Sequence, residues 1–402
     1  MLVGTSSYAM AIDPAAGRAY IANYYTNNIT VISTSSHNQV VTIPVGIGAE
    51  YPTNLLDDST DGLILVLSNP YWGSNTCEAP CPGNGTVTAF STSTNAPVGQ
   101  VAVGTNPEGF VFSSHSDEAF VSNLLPGTVS VISPQPFGLK ATLSLATYSL
   151  IADPANSAVY ALETGLPGNV TVINGTTNSI AAVIGTGGSP YMGVYDPWNR
   201  ILYVGDGNRT QDWIDVISTV TDHLVTEVDL PGQDFQMTVD SLTGNLLVGT
   251  DQFTNERQFY GGNFTVISRS TNAVLQTIPW SPYVYAVISD NATGAVYFLG
   301  EGNLTVFNAT TMSPAYSAPV NRDAYEMALD TSDDTLWVLN PSFYIGVPGS
   351  VDIYKAPWPI SSSGSPAGVL GWTDLPAPVL LGSVVAGALI GSLTWFRARG
   401  RR

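Results

Sequence analysis

Only three histidines and two cysteines occur in 402 residues, so the side chains that most often carry nucleophilic and metal chemistry are scarce. His37, His115 and His223 stand far apart with no partner at ligand spacing, which supports neither a zinc site nor a copper cluster. No GxSxG turn, phosphate loop, HExxH or EF-hand pattern is present. Cys77 and Cys81 sit in CEAPC. In an exported chain this spacing reads as a small disulfide loop, with half a metal site as the alternative. Carboxylates cluster at Asp57, Asp58 and Asp61 and again at Asp330, Asp333 and Asp334. Such all-oxygen groups could take calcium. Both fall in a turn that elsewhere reads DPAAG or DPWN, so ordinary turn chemistry is expected, with no metal, cofactor or catalytic residue assigned. Nine N-x-T sequons begin at Asn28, Asn84, Asn169, Asn174, Asn208, Asn263, Asn291, Asn303 and Asn308. They are glycosylation candidates on an exported protein, although several coincide with a repeated strand start that itself demands Asn-x-Thr.

Those residues are carried on a unit of roughly 40 to 55 residues that recurs eight times. Its third segment is the clearest: NITVIS from Asn28, GTVTAFS from Gly85, GTVSVIS from Gly127, GNVTVIN from Gly168, DWIDVIS from Asp212, GNFTVIS from Gly262, GNLTVFN from Gly302 and GSVDIYK from Gly349. Ahead of each lies a second apolar strand, such as AYIAN ending at Asn23 or LWVLN ending at Asn340. Before that comes a turn rich in Asp, Pro, Ser, Asn and Gly, and a first strand such as YAMAI from Tyr8. A fourth strand closes most units, as in QVVTIPVG from Gln39. Four antiparallel strands at this period predict an all-β fold, a β-propeller of four-stranded blades. The eighth unit stops after its third strand at Lys355, while the opening MLVG matches the end of a fourth strand. Met1 to Gly4 are therefore expected to complete the last blade, with part of that strand lying upstream of a truncated or mis-assigned start.

The strand ends YIAN and FVSN, followed by a V/I-T/S-V-I-S segment and a fourth strand ending V-G, resemble the YVTN-type β-propeller repeat of archaeal and bacterial surface-layer and cell-surface proteins. The resemblance runs from about Met1 to Lys355 and implies the fold. For function it implies a binding scaffold, a lactonase-like enzyme or a haem or copper enzyme domain. The family's surface-layer example is drawn with seven blades; eight first strands here predict eight, with seven as the alternative.

Charge adds a second level of organisation. Of 12 basic residues, four are Arg397, Arg399, Arg401 and Arg402, which leaves 8 against 31 acidic residues in the body. Such a body excludes a nucleic-acid binder that depends on phosphate contacts, and 44% hydrophobic content excludes disorder. Just before the arginines, residues 379–396 carry no charge and would reach about 27 Å as a helix, enough to span a bilayer. Trp372, Trp395 and Phe396 stand where an aromatic belt would lie, and the positive-inside rule puts the tail in the cytoplasm. The expected order is a propeller ectodomain over 1–355, a Pro/Ser/Gly stalk over 356–378, a transmembrane helix over 379–396 and a basic cytoplasmic tail over 397–402. Gly387 and Gly391 form a GxxxG that could pair two copies. The start has no signal-peptide pattern. Sparse charge throughout the body suits an acidic medium, where carboxylates are protonated near their usual pKa of about 4.

Aligning the first strands on the turn residue that ends them gives Tyr8, Thr53, Glu108, Tyr148, Tyr191, Phe235, Tyr285 and Tyr325 five positions earlier. In a propeller this strand lines the axis, so the aromatics would ring one mouth of the channel. Loops opening on the same face are expected to add Trp72, Trp213 and Tyr260, with Tyr24 and Tyr25. Aromatics with little charge suit a cell-surface glycan or protein partner. The reading is a membrane-anchored binding, adhesion or envelope-structural module. The alternative is an exported lactonase-like or other hydrolytic enzyme with a metal held by Glu108, Glu326, Asn54 and Gln236.

Overall fold

A computed structural model of the chain describes residues 1–46, 51–70, 83–208, 211–230, 232–240, 242–253, 259–280, 283–290, 292–332, 334–342 and 346–355, with the backbone alone at 233–235, 252–253 and 259–260. The described residues form eight antiparallel four-stranded sheets and no helix. Blade 1 runs Ser7–Asp13, Arg18–Asn23, Asn28–Ser33 and Gln39–Pro44 from the inside outward. Each first strand touches the first strands of both neighbouring blades, and the last touches Ser7–Asp13, so the ring closes at eight blades and not seven.

Closure uses both ends of the described chain. In blade 8, Glu326–Asp330, Thr335–Asn340 and Pro348–Lys355 are followed outward by Leu2–Thr5. Leu2 pairs with Ser350, and the backbones of Met1 and Val351 exchange two hydrogen bonds of 2.7 and 2.8 Å. The opening residues thus complete the last blade, as the match of MLVG to a fourth-strand end predicts.

Local chemistry explains the hairpins. The aspartate that ends a first strand accepts from the turn amides that follow: Asp13 from Ala16, Asp153 from Ala155, Asp196 from Trp198 and Asp290 from Ala292, each at 2.8 or 2.9 Å. This side-chain mimic of a backbone turn is why Asp recurs there. The hairpin between third and fourth strands needs one residue at positive φ, supplied by His37, Asn95, Asn178, Asp222, Asn272 and Met312. His37 is thereby a turn residue.

The core is distributed over eight apolar seams, one between each pair of neighbouring blades. Second strands such as Leu63–Ser68 are buried along their whole length, because blades cover both faces. That burial explains why they read as continuous apolar runs rather than alternating ones. Fourth strands such as Gln39–Pro44 are mostly exposed. The expected stalk, membrane helix and tail over 356–402 lie outside the described residues, as do Trp72, Cys77, Cys81 and Asn291. Among the described residues no helix is long and apolar enough to cross a membrane.

Candidate binding site at the channel mouth

The aromatic position of the first strand coincides with a break in strand pairing. In blade 1, Ser7 pairs with Asn23 and Ala9 with Ala22, which leaves Tyr8 as the extra residue of a bulge. Thr53, Glu108 and Tyr285 fall in the same irregularity of blades 2, 3 and 7, and the backbone at Phe235 does so in blade 6. Tyr148, Tyr191 and Tyr325 stand one residue before the paired part of their strands. A bulge turns a side chain out of the regular alternation, and bulges commonly border binding sites. The result is that Tyr8, Glu108, Tyr148, Tyr191, Tyr285 and Tyr325 stand half-buried at one end of the innermost strands, with Thr53 buried among them.

Part of this set forms a connected arc. The Tyr325 hydroxyl donates to the Tyr8 backbone carbonyl across the junction of blades 8 and 1. Tyr8 meets Tyr24 edge-on with centroids 5.5 Å apart, and Tyr24 in turn meets Tyr25 edge-on at 5.1 Å and stacks on Tyr51 at 4.8 Å. These are favourable aromatic geometries. Tyr25 is 44% exposed, whereas Tyr24 is buried beneath it. Tyr51 was not among the sequence candidates; its place two residues before the buried Thr53, the one small side chain in the aromatic position, is the signal that could have found it. A second stacked pair joins Tyr283 and Tyr285 at 6.3 Å. Burial pushes the Tyr8 hydroxyl up to about 12, with Tyr25 adding to it. Burial also raises Tyr24, Tyr325 and Tyr148, the last helped by the charge of Glu108. All stay protonated at neutral pH and present O–H groups rather than phenolates.

Of the four residues considered as metal ligands at the mouth, Asn54, Gln236 and Glu326 are buried and Glu108 is half-buried beside Tyr148. Glu326 Oε1 accepts from the Met10 amide of blade 1 at 3.4 Å, and burial pushes its carboxyl up to about 8. It is a neutral acid inside the blade 8–blade 1 seam at neutral pH.

The structure corrects three further placements. Trp213 belongs to the third strand of blade 5, Asp212–Ser218, and is only 7% exposed, its indole N–H donating to Asp215 Oδ1 at 2.9 Å. It is core and not a loop aromatic. Tyr260 falls within the strand Phe259–Ile267, its side chain outside the described part together with that of Phe235. Among the sequons, Asn263 and Asn308 are 8% and 7% exposed, and Asn308 Oδ1 accepts from the amides of Thr310 and Thr311. Neither can carry a glycan in the folded chain, whereas Asn84 and Asn208 are exposed.

In blades 1 and 3 the Asn at the end of the second strand proves to be a clasp, whereas Asn69 of blade 2 donates to Asn106 Oδ1 at 3.0 Å and to the Pro107 carbonyl of blade 3 at 2.8 Å. Asn23 Nδ2 donates to Asn28 Oδ1 at 2.8 Å and to Thr30 Oγ1 at 2.9 Å, and Asn123 Nδ2 donates to Ser130 Oγ at 3.0 Å. Each bond ties the second strand to the third in a buried setting. Blade 4 uses Thr171 donating to Glu163, and blade 8 uses Asn340 donating to Asp352 Oδ2 at 2.9 Å. Blade 5 places two carboxyl groups there, Asp206 and Asp215, both fully buried.

No protein-family model and no curated protein matches the sequence. Solved structures do match in fold. The chain is similar to Saccharomyces cerevisiae Sqt1, with a TM-score of 0.68 and 12% identity over 89% of this chain and 98% of that one. Dihydro-heme d1 dehydrogenase NirN in complex with DHE gives 0.66 and 12% over 86% of this chain and 72% of its own. Hydrazine synthase of Kuenenia stuttgartiensis gives 0.57 and 13% over 88% and 97%. At such identities the likeness is one of fold, and the chain is an eight-bladed β-propeller.

Proposed function

We propose that this chain is a cell-surface β-propeller of the YVTN type whose tyrosine-lined channel mouth binds a glycan or a protein segment, in an adhesion or envelope-structural role. The observation that carries the reading is the arc of Tyr8, Tyr24, Tyr25, Tyr51 and Tyr325, assembled from bulge and loop positions. Tyrosine offers flat apolar area together with a hydroxyl, the combination that suits sugar rings and interface hot spots. The anchor in this reading is the helix over 379–396, with the propeller outside, the basic tail in the cytoplasm and Gly387 and Gly391 pairing two copies. Haem chemistry of the kind named for NirN is not part of it. His37 and His115 sit in hairpin turns, and His223 starts an exposed fourth strand, all at the end of the blades away from the tyrosines.

The test is the full chain carrying Tyr25→Ala or Tyr285→Ala, measured on a glycan array and in binding to intact cells. Loss of a single aromatic hot spot, exposed Tyr25 or half-buried Tyr285, should weaken binding about tenfold or more, since such truncations cost about 2 kcal/mol. Wild-type binding by both variants, or no binding by the wild type to either target, overturns the proposal. Protease treatment of intact cells should release propeller fragments if it lies outside.

A further inference from the structure

At most first-to-second-strand turns the leading aspartate is satisfied by its own turn. Between blades 2 and 3 the arrangement differs. Asp58 closes the first strand of blade 2, Asp61 lies in the turn after it, and blade 3 begins its turn with Ser113 and carries its carboxylate later, at Asp117. That displacement brings Asp117 to the neighbouring blade: the carboxylate oxygens of Asp58, Asp61 and Asp117 all lie within 4.8 Å of one another.

Hydrogen bonds do not account for this convergence. Asp58 is fully buried, and its Oδ1 accepts from the Asp61 amide at 3.2 Å, but its Oδ2 is inaccessible and has no hydrogen-bond partner. Asp61 Oδ2 and Asp117 Oδ1 are likewise inaccessible and unpartnered. Buried acceptors are almost always satisfied, and three from two blades facing one another are not. Neither cation of the two ion pairs among the described residues, Lys140 with Glu118 and Arg322 with Glu301, serves the group.

We propose that Asp58, Asp61 and Asp117 bind one calcium ion and so bridge blades 2 and 3. An all-oxygen set of carboxylates selects a hard dication over zinc or copper. Calcium tolerates irregular geometry better than magnesium and fills its remaining positions with water. Asp61 and Asp117 are half-buried, which leaves the group open to solvent on one side. The site is at the opposite end of the blades from the tyrosine arc, so it stands or falls independently of the binding reading.

The experiment is calorimetric titration of the full chain, purified in mild detergent and stripped with a chelator, with calcium chloride and in parallel with magnesium chloride. Wild type should bind one calcium per chain with a Kd on the order of 10⁻⁵ to 10⁻³ M, more tightly than magnesium, and unfold at a higher temperature when loaded. Asp61→Asn and Asp117→Asn should keep the β-sheet circular dichroism spectrum and lose calcium affinity at least tenfold. Absence of heat and of any thermal shift in the wild type up to about 10 mM calcium, well above the extracellular range, overturns the site whatever the variants do. So does wild-type affinity in the Asp61→Asn, Asp117→Asn double variant.

Discussion

Asp215→Asn should make this protein more stable at neutral pH while leaving it unchanged in acid. Asp206 accepts from the Gly207 amide at 2.6 Å on Oδ1 and from the Gly188 amide at 3.2 Å on Oδ2. Asp215 accepts the Trp213 indole N–H on Oδ1, while its buried Oδ2 meets no donor, and burial beside the Asp206 carboxyl favours the protonated form. Burial raises Asp215 first, the Asp206 hydrogen bond and charge next, and Glu227 on the adjoining fourth strand adds to them. Both carboxyls are ionised in the unfolded chain above about pH 4, so folding takes up a proton. A folded pKa above the unfolded one gives stability that is complete below the unfolded value and falls as pH rises through the folded value. The slope is about 1.4 kcal/mol per pH unit for one proton. By pH 7 this approaches 4 kcal/mol. Asparagine at 215 keeps an oxygen for Trp213 and gives Asp206 an N–H without any proton, so the variant should gain about 2–4 kcal/mol at pH 7 and less than about 0.5 kcal/mol at pH 4. At roughly 1.3 °C per kcal/mol for a chain of this size, Tm should rise by about 3–5 °C at pH 7. Thermal unfolding of both proteins from pH 4 to 8 decides it. A variant that keeps the wild-type pH slope, or is less stable at pH 7, would refute the shared-proton reading.

Glu326→Gln should follow the same sign. Its carboxyl is pushed up to about 8 by burial, so the wild type forfeits stability as pH rises toward 8, and the glutamine variant should gain about 1–3 kcal/mol at pH 8 and nothing at pH 4 by denaturant unfolding. Ring closure is open to a direct test: Val3 is buried in the seam with Trp337, Leu339 and Val351. Val3→Asp should therefore cost more than about 3 kcal/mol, read by loss of the unfolding transition at 37 °C. In glycopeptide mass spectrometry of protein from a glycosylating host, occupancy is expected at Asn84 and Asn208 and not at Asn263 or Asn308; a modified Asn308 would contradict the folded placement.

The propeller was legible because each blade repeats the same four-strand pattern, and even the closing strand showed itself in MLVG. The aromatic position was legible too, since it keeps a fixed offset from the turn aspartate. What the sequence hid were contacts between units. Alignment separates Asp58 from Asp117 into different blades, and only the curvature of the ring brings them together. Trp213 was counted among the loop aromatics although it stands at the second position of DWIDVIS, a segment the repeat already marks as a third strand, and the structure pairs it with Asp206 within the sheet. The Asn of YIAN and FVSN was visible as a pattern, but its role emerged only when its amide was seen to reach the third strand.

That clasp explains how a body with so little charge can depend on pH. Two ion pairs hold the described residues, one of them exposed on its arginine side, and exposed pairs contribute little. Acid would cost such a fold few favourable charges. Burial raises the folded pKa of several carboxyls, among them Asp215 in the blade 5 clasp, Glu326 in the blade 8–blade 1 seam, and Asp57 and Asp58 in blade 2, pushed up to about 7 and about 6, and each favours the folded chain more as protons are added. Asp215 and Glu326 lie in different blades with different neighbours, so their effects should add: an Asp215→Asn, Glu326→Gln double variant should lose more of the dependence on pH between 5 and 8 than either single variant, the remainder belonging to Asp57 and Asp58. A double variant that still weakens above pH 6 as the wild type does would assign the dependence to other carboxylates.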